Sequence, residues 1–144
     1  MRNLLVALSV AMAVVTFGCN SSSGPESYPI SGTVLFGDKP VPAGSIMLTP
    51  DVSEGNSGMA VSIDIVDGKF NSNTAKSGHV GGPHIVKIVG LNGKGDDDLF
   101  PKGQMLFPDY EMSLDLPKEA SEQELKVPGD LKMPKRSSKL PATS

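Results

Sequence analysis

The stretch "MAVSIDIVDGKF", Met59 to Phe70, decides the fold class. Val61, Ile63 and Ile65 alternate with Ser62 and Asp64, so in an extended backbone the three β-branched residues share one face and the two polar residues the other. Such a strand has one buried and one wet side. Asp67-Gly68 then offers the positive φ of a tight hairpin turn, and Lys69-Phe70 starts the returning strand. Outward from this hairpin the same period-two pattern recurs, broken by Gly and Pro, and no helical stripe of any length interrupts it. Strands are expected at Ile30 to Phe36, Gly44 to Thr49, Met59 to Val66, Lys69 to Ser72, Pro83 to Val89, Tyr110 to Leu116 and Glu124 to Val127. Short strands separated by turns predict an all-β domain over residues 30–127, an antiparallel seven-stranded β-sandwich. In "PHIVKIVG", Lys87 should face water while His84 points inward or sits at the rim.

Composition bounds what this domain can hold. The chain has 144 residues, of which 38% are hydrophobic, with five Phe, two Tyr and no Trp. That is enough for one small core and not for two. A formal net charge of −3 argues against nucleic acid as a partner, because phosphate binding needs a clustered basic face. The charge is unevenly spread. Asp96 to Glu124 carries nine acidic residues against two lysines, whereas Pro128 to Ser144 carries Lys132, Lys135, Arg136 and Lys139 against Asp130. With three prolines and few large apolar groups, residues 128–144 read as a disordered basic tail. Such a tail contacts anionic lipid or envelope polymer at about 1 kcal/mol per basic residue near a charged surface, or stays solvated, or folds back loosely onto the acidic stretch.

The opposite end, "MRNLLVALSVAMAVVTFGC", has Arg2 as a short positive region and an apolar run from Leu4 to Phe17. About 14 residues fall short of the roughly 20 that span a bilayer, so residues 1–18 read as a secretion signal. Ala11-Met12-Ala13 satisfies the small-x-small rule for plain cleavage, which would leave Val14 to Phe17 exposed. Cys19 is the only cysteine; it cannot close an intramolecular disulfide and has no Cys/His neighbours with metal-ligand spacing. Thr16-Phe17-Gly18-Cys19 resembles the bacterial lipobox, which implies that Cys19 receives a diacylglyceryl group and becomes the mature N-terminus. Plain secretion and an uncleaved N-terminal anchor stand as alternatives. Several acyl chains hold a protein on a membrane without crossing it. Residues 19–29 have the composition of a flexible tether, and the ten residues Asn20 to Pro29 reach about 33 Å when extended.

Within "ISGTVLFGDKPVPAGSIMLTP" the pattern Gly32-x-Val34-x-x-Gly37-x-x-Pro40-Val41-x-x-Gly44-x-Ile46-x-Leu48 is followed by "DGKF" and then "GGPHIVKIVG". This order resembles the carboxypeptidase regulatory-like domain, in the version found in small secreted lipoproteins of planctomycete-type bacteria, and it covers Ile30 to Val89. The resemblance implies a prealbumin-like β-sandwich that accompanies enzymes or receptors and does no chemistry itself. In physical terms, Gly37 and Asp38 should turn the first hairpin, Pro40 and Pro42 should keep an edge segment from pairing, and Gly44 should start the next strand.

Residues with chemical potential are few. His79 and His84 lie close in "SGHVGGPHIV", but a spacing of five on a loop entering a strand does not present both rings to one ion, and no third ligand lies nearby. His84 is expected in the core or at its rim and His79 on a solvated loop. Asp96, Asp97 and Asp98 are hard oxygen donors that suit calcium, yet they lack the alternation of a calcium loop and equally make a repelling, solvated tip. No Gly-x-Ser-x-Gly elbow or paired Cys/His nucleophile is present. Asp64, Asp67, Asp109 and Glu111 read as wet-face carboxylates. No catalytic role and no cofactor is assigned. The expectation is a non-catalytic, lipid-anchored module of the bacterial cell envelope, membrane-bound through Cys19, with an envelope protein or polymer as partner. The alternative is a soluble periplasmic ligand-binding domain, for carbohydrate in the first instance, against which the scarcity of stacking aromatics weighs. An accessory enzyme subunit or metal-dependent hydrolase would require His79, His84 and acids to converge.

Overall fold

A computed structural model describes residues 26–75, 77–95 and 100–134. The leader, Cys19, Asp96, Asp97, Asp98 and the segment from Lys135 onward lie outside the described residues. Eight strands follow in order: β1 (Ile30–Phe36), β2 (Lys39–Pro40), β3 (Ala43–Pro50), β4 (Val61–Val66), β5 (Lys69–Asn71), β6 (Gly82–Leu91), β7 (Tyr110–Leu116) and β8 (Ser121–Val127). Among the described residues only two short 3-10 turns, Val52–Glu54 and Ser72–Ala75, add helical backbone, and no helix is long and apolar enough to cross a membrane.

The β4–β5 hairpin forms as its alternation requires. Val61, Ile63 and Ile65 are buried while Ser62, Asp64 and Val66 are exposed. Asp67 and Gly68 adopt φ of 49° and 76°, the left-handed pair of a two-residue turn whose twist matches that of the strands. From this hairpin the ladder continues antiparallel through β3, β6 and β7 on one side, and from β5 to β1 on the other. All eight strands belong to one sheet that curls into a half-barrel around a single core.

Two features depart from expectation. Lys39 and Pro40 pair with Phe36 and Leu35, so the first turn at Gly37-Asp38 closes a true, if minimal, hairpin. Pro40 lacks an N–H but keeps its carbonyl, which is compatible with an edge position, and the Val41 N–H donates to the Val34 carbonyl at 3.0 Å. Second, β8 starts three residues before the expected Glu124 and runs parallel to β1, from Ile30 opposite Ser121 to Phe36 opposite Val127. At the centre of that pair a Cβ on Gly32, where φ is 154°, would lie 1.8 Å from the Gln123 carbonyl oxygen, so the two backbones meet where only glycine fits.

One end of the half-barrel is plugged. Asn92 Oδ1 accepts the N–H groups of Lys94 at 3.0 Å and Gln104 at 3.2 Å, which folds the connection after β6 back on itself. Leu106 N–H then donates to Gly90 O at 2.9 Å and swings Phe107 beneath the sheet. Phe107 is fully buried, with its ring 4.9 Å from that of Phe36. Past β8 the chain stays on the domain, Leu131 packing against the core.

Candidate functional site

At the other end, where the N-terminal segment joins the fold, three rings gather: Tyr28, His79 and His84. Asn56 shapes the loop that carries the histidines, its Nδ2 donating to the Gly81 carbonyl at 2.9 Å and the Pro83 carbonyl at 2.7 Å. Gly81 and Gly82 turn the chain with φ of 75° and 74°. Tyr28 and His79 exchange both backbone hydrogen bonds, at 2.8 and 2.9 Å, as a one-residue antiparallel bridge. This bridge draws His79 inward to 1% exposure, which corrects the expected solvated position. His84 points into the core from β6, also at 1% exposure.

Hydrogen bonds settle the tautomers. The Gly81 N–H donates to His79 Nδ1 at 3.1 Å, so neutral His79 carries its proton on Nε2. His84 Nδ1 lies 2.8 Å from the Gly82 carbonyl, which can only accept, so this nitrogen holds a proton. The two rings stand nearly perpendicular, 84° apart, with centroids separated by 6.1 Å. His79 Nε2 completes no hydrogen bond among the described residues. Burial pushes the His79 pKa below its ordinary value and the neighbouring His84 adds to this, while the Glu119 and Pro29 carbonyls pull the other way. His79 therefore favours its neutral form.

No acid joins them. Asp64 is ion-paired with Lys102 at 3.0 Å and Asp109 with Lys87 at 2.9 Å, both on the exposed side of the sheet. Asp67 sits in the hairpin turn, and Glu111 lies exposed on β7 opposite Lys87. Among the described residues no group of three His, Cys, Asp or Glu side chains is placed to hold a metal ion. The histidines thus meet each other, and His79 meets the N-terminal segment at Tyr28. Around them Ser72 Oγ accepts the Ile30 N–H at 2.9 Å, and Ser121 Oγ is buried without a partner among the described residues. Two small openings flank Pro29, of about 360 and 260 Å³.

A larger groove, about 870 Å³, lies at the plugged end and is lined by Val89, Leu91, Phe100, Pro101, Lys102, Met105 and Met133. Phe100 is 56% exposed. The sequence carried no local signal for this groove, because its walls come from β6, from the connection after it and from the chain beyond β8. Comparison of the chain with protein-family models, with curated proteins and with solved structures finds no match.

Proposed function

We propose that this protein is a lipid-anchored, non-catalytic module of a bacterial cell envelope, held on a membrane through Cys19. One observation carries the proposal: the apolar run Leu4 to Phe17 ends at Gly18-Cys19 and passes at once into a polar Ser/Gly/Pro stretch. The attachment point beyond that stretch is consistent with a tethered domain. Tyr28 is clamped to His79 by two backbone hydrogen bonds, and Ile30 opens a strand paired on both edges. A pull transmitted along the tether would meet β1 in shear against β5 and β8.

Within this proposal the curled sheet is a prealbumin-like sandwich of the carboxypeptidase regulatory-like kind, with β8, β1 and β5 as one leaf and β4, β3, β6 and β7 as the other. Support comes from the burial of Val34 and Leu125 from the first leaf with Ile46 and Ile88 from the second in one core. Intact mass spectrometry of the protein from its native membrane, beside Cys19→Ala, tests the anchor. The expected mature chain begins at Cys19 and carries acyl mass, and the variant leaves the membrane fraction. A chain beginning at Val14 without lipid would overturn the proposal in favour of a free secreted domain.

A further inference from the structure

β7 forms one margin of the sheet. Tyr110–Leu116 pairs with β6 on one side and with no other strand among the described residues. The direction of its backbone groups follows from β6. Pro83 has no N–H, and its carbonyl accepts the Asp51 N–H at 2.9 Å on the β3 side, away from β7. Facing pairs in an antiparallel ladder alternate between bonded and unbonded. Pro83 faces Asp115, so Asp115 belongs to an unbonded pair, and Ser113 opposite Ile85 and Glu111 opposite Lys87 share that state. The N–H and C=O groups of Glu111, Ser113 and Asp115 therefore point away from β6, into the place a further strand would take.

Side chains define what that strand must carry. Tyr110, Met112 and Leu114 lie on the core face but are only half-buried, whereas Ile88, Val86 and His84 opposite them on β6 are fully buried. Apolar residues on a neighbouring strand would complete that face. On the outer face Glu111, Ser113 and Asp115 are exposed, and neither acid has an ion-pair partner among the described residues; Lys87, opposite Glu111, bonds Asp109 instead. Edge strands are often blunted by lysine, proline or a bulge. β7 holds no lysine and no proline, only these two acids, which repel an acidic neighbour and attract a basic one. A second copy fits poorly, because antiparallel pairing centred on Ser113 sets Glu111 against Asp115 of the other copy.

We infer that β7 takes an extended segment of another protein as an added strand, one in which basic and apolar residues alternate. The outward N–H and C=O groups of Glu111, Ser113 and Asp115 supply affinity for an extended chain, and the alternate side chains supply selectivity. Basic residues opposite Glu111 and Asp115, with a small polar residue opposite Ser113, satisfy the outer face. Aliphatic residues opposite Met112 and Leu114 close the core side. Ser113 lies midway between the two acids, so parallel and antiparallel entry of such a segment present the same side chains. This pairing belongs to the folded domain and does not depend on lipidation of Cys19.

Two end-blocked peptides test it on the full chain: Val-Lys-Val-Thr-Val-Lys-Val, and its counterpart with glutamate in place of both lysines. Backbone hydrogen exchange is followed as each is added. The lysine peptide should slow exchange at Glu111, Ser113 and Asp115 while leaving Met112 and Leu114, already bonded to β6, little changed. Replacing its lysines with alanine should weaken binding roughly two- to thirtyfold, the range that two opposite-charge cross-strand pairs produce. Glu111→Lys with Asp115→Lys, both at exposed positions, should invert the preference, so that the glutamate peptide protects and the lysine peptide does not. Equal affinity for the lysine and glutamate peptides, or protection by neither, would overturn the inference. So would slow exchange of these three amides in the protein alone: if it persists on dilution the chain covers its own edge, and if it fades a second copy does.

Discussion

Gly90 lies where β6 passes over the plug, and a methyl group there should have nowhere to go. A Cβ built on Gly90 falls 2.4 Å from both Cε1 and Cζ of Phe107 and 3.2 Å from Cγ1 of Val41. The ring cannot swing aside, since Phe107 has no exposed surface and is held against Phe36. Gly90 is absent from the positive-φ residues, so alanine meets no backbone strain there and gains about 0.4–1 kcal/mol by restricting the unfolded chain. Overpacking a dense core costs about 1–3 kcal/mol, which outweighs that gain. Gly90→Ala should therefore destabilise the domain by about 1–2 kcal/mol, with a fall in Tm of roughly 4–8 °C for each kcal/mol in a domain of this size. Urea denaturation followed by circular dichroism measures the loss. The sharper test is a double-mutant cycle, since the clash disappears when the ring does. In a Phe107→Leu background the same Gly90→Ala change should be neutral or mildly stabilising, a coupling of about 1–3 kcal/mol. An equal loss in both backgrounds, or no loss in the wild type, would refute the contact.

Three further outcomes follow from the same packing. Ile63→Ala should cost about 2–5 kcal/mol by denaturant titration, while Asp64→Ala, one residue along on the exposed face, should stay within about 0.5 kcal/mol. Gly32→Ala sets a side chain against backbone that cannot yield, so it should cost at or above the top of the roughly 1–3 kcal/mol overpacking range and expose Ser121–Val127 to hydrogen exchange; a protected β8 would contradict the close approach. His79 favours its neutral form in the folded state, so the unfolded chain takes up its proton first as acid is added. Its contribution to stability is present above the ordinary value of 6.5 and is lost as pH falls below it toward the lower folded value. Stability should decline as pH falls below 6.5 more steeply in the wild type than in His79→Gln, and equal slopes would show that His79 does not titrate there.

The hairpin at Asp67-Gly68 was legible because face and turn are both local properties: Val61, Ile63 and Ile65 declare one side, and a Gly declares the turn. The alternation of "PHIVKIVG" likewise placed His84 inside or at the rim and Lys87 outside. Period-two pattern records which side of a strand is buried but says nothing of its neighbour or its direction. Hence Leu125 and Val127 marked β8 as half-buried without showing that it lies parallel to β1. Phe107 sits between Leu106 and Pro108 in a stretch with no period, so its place as a plug depends on the Asn92 and Gly90 hydrogen bonds, which join residues distant in sequence. His79 was misjudged for the same reason. Gly and His on a loop look solvated until Tyr28, far upstream, pairs with them.

The parallel joining of β1 to β8 sets the order in which the chain can acquire its structure. The first described strand has its longest partner in the last described one, and that partner exists only when the C-terminal part has been delivered. A large closure entropy must be met before the pair forms, and topologies dominated by such distant pairings fold in milliseconds to seconds, slower by orders of magnitude than locally connected ones. A chain emerging from the ribosome, or threading through a narrow translocation pore, therefore holds Ile30–Phe36 without its main neighbour throughout the passage. Delayed folding of this kind keeps a polypeptide thin enough to be threaded, and the domain closes only after its final strand has arrived.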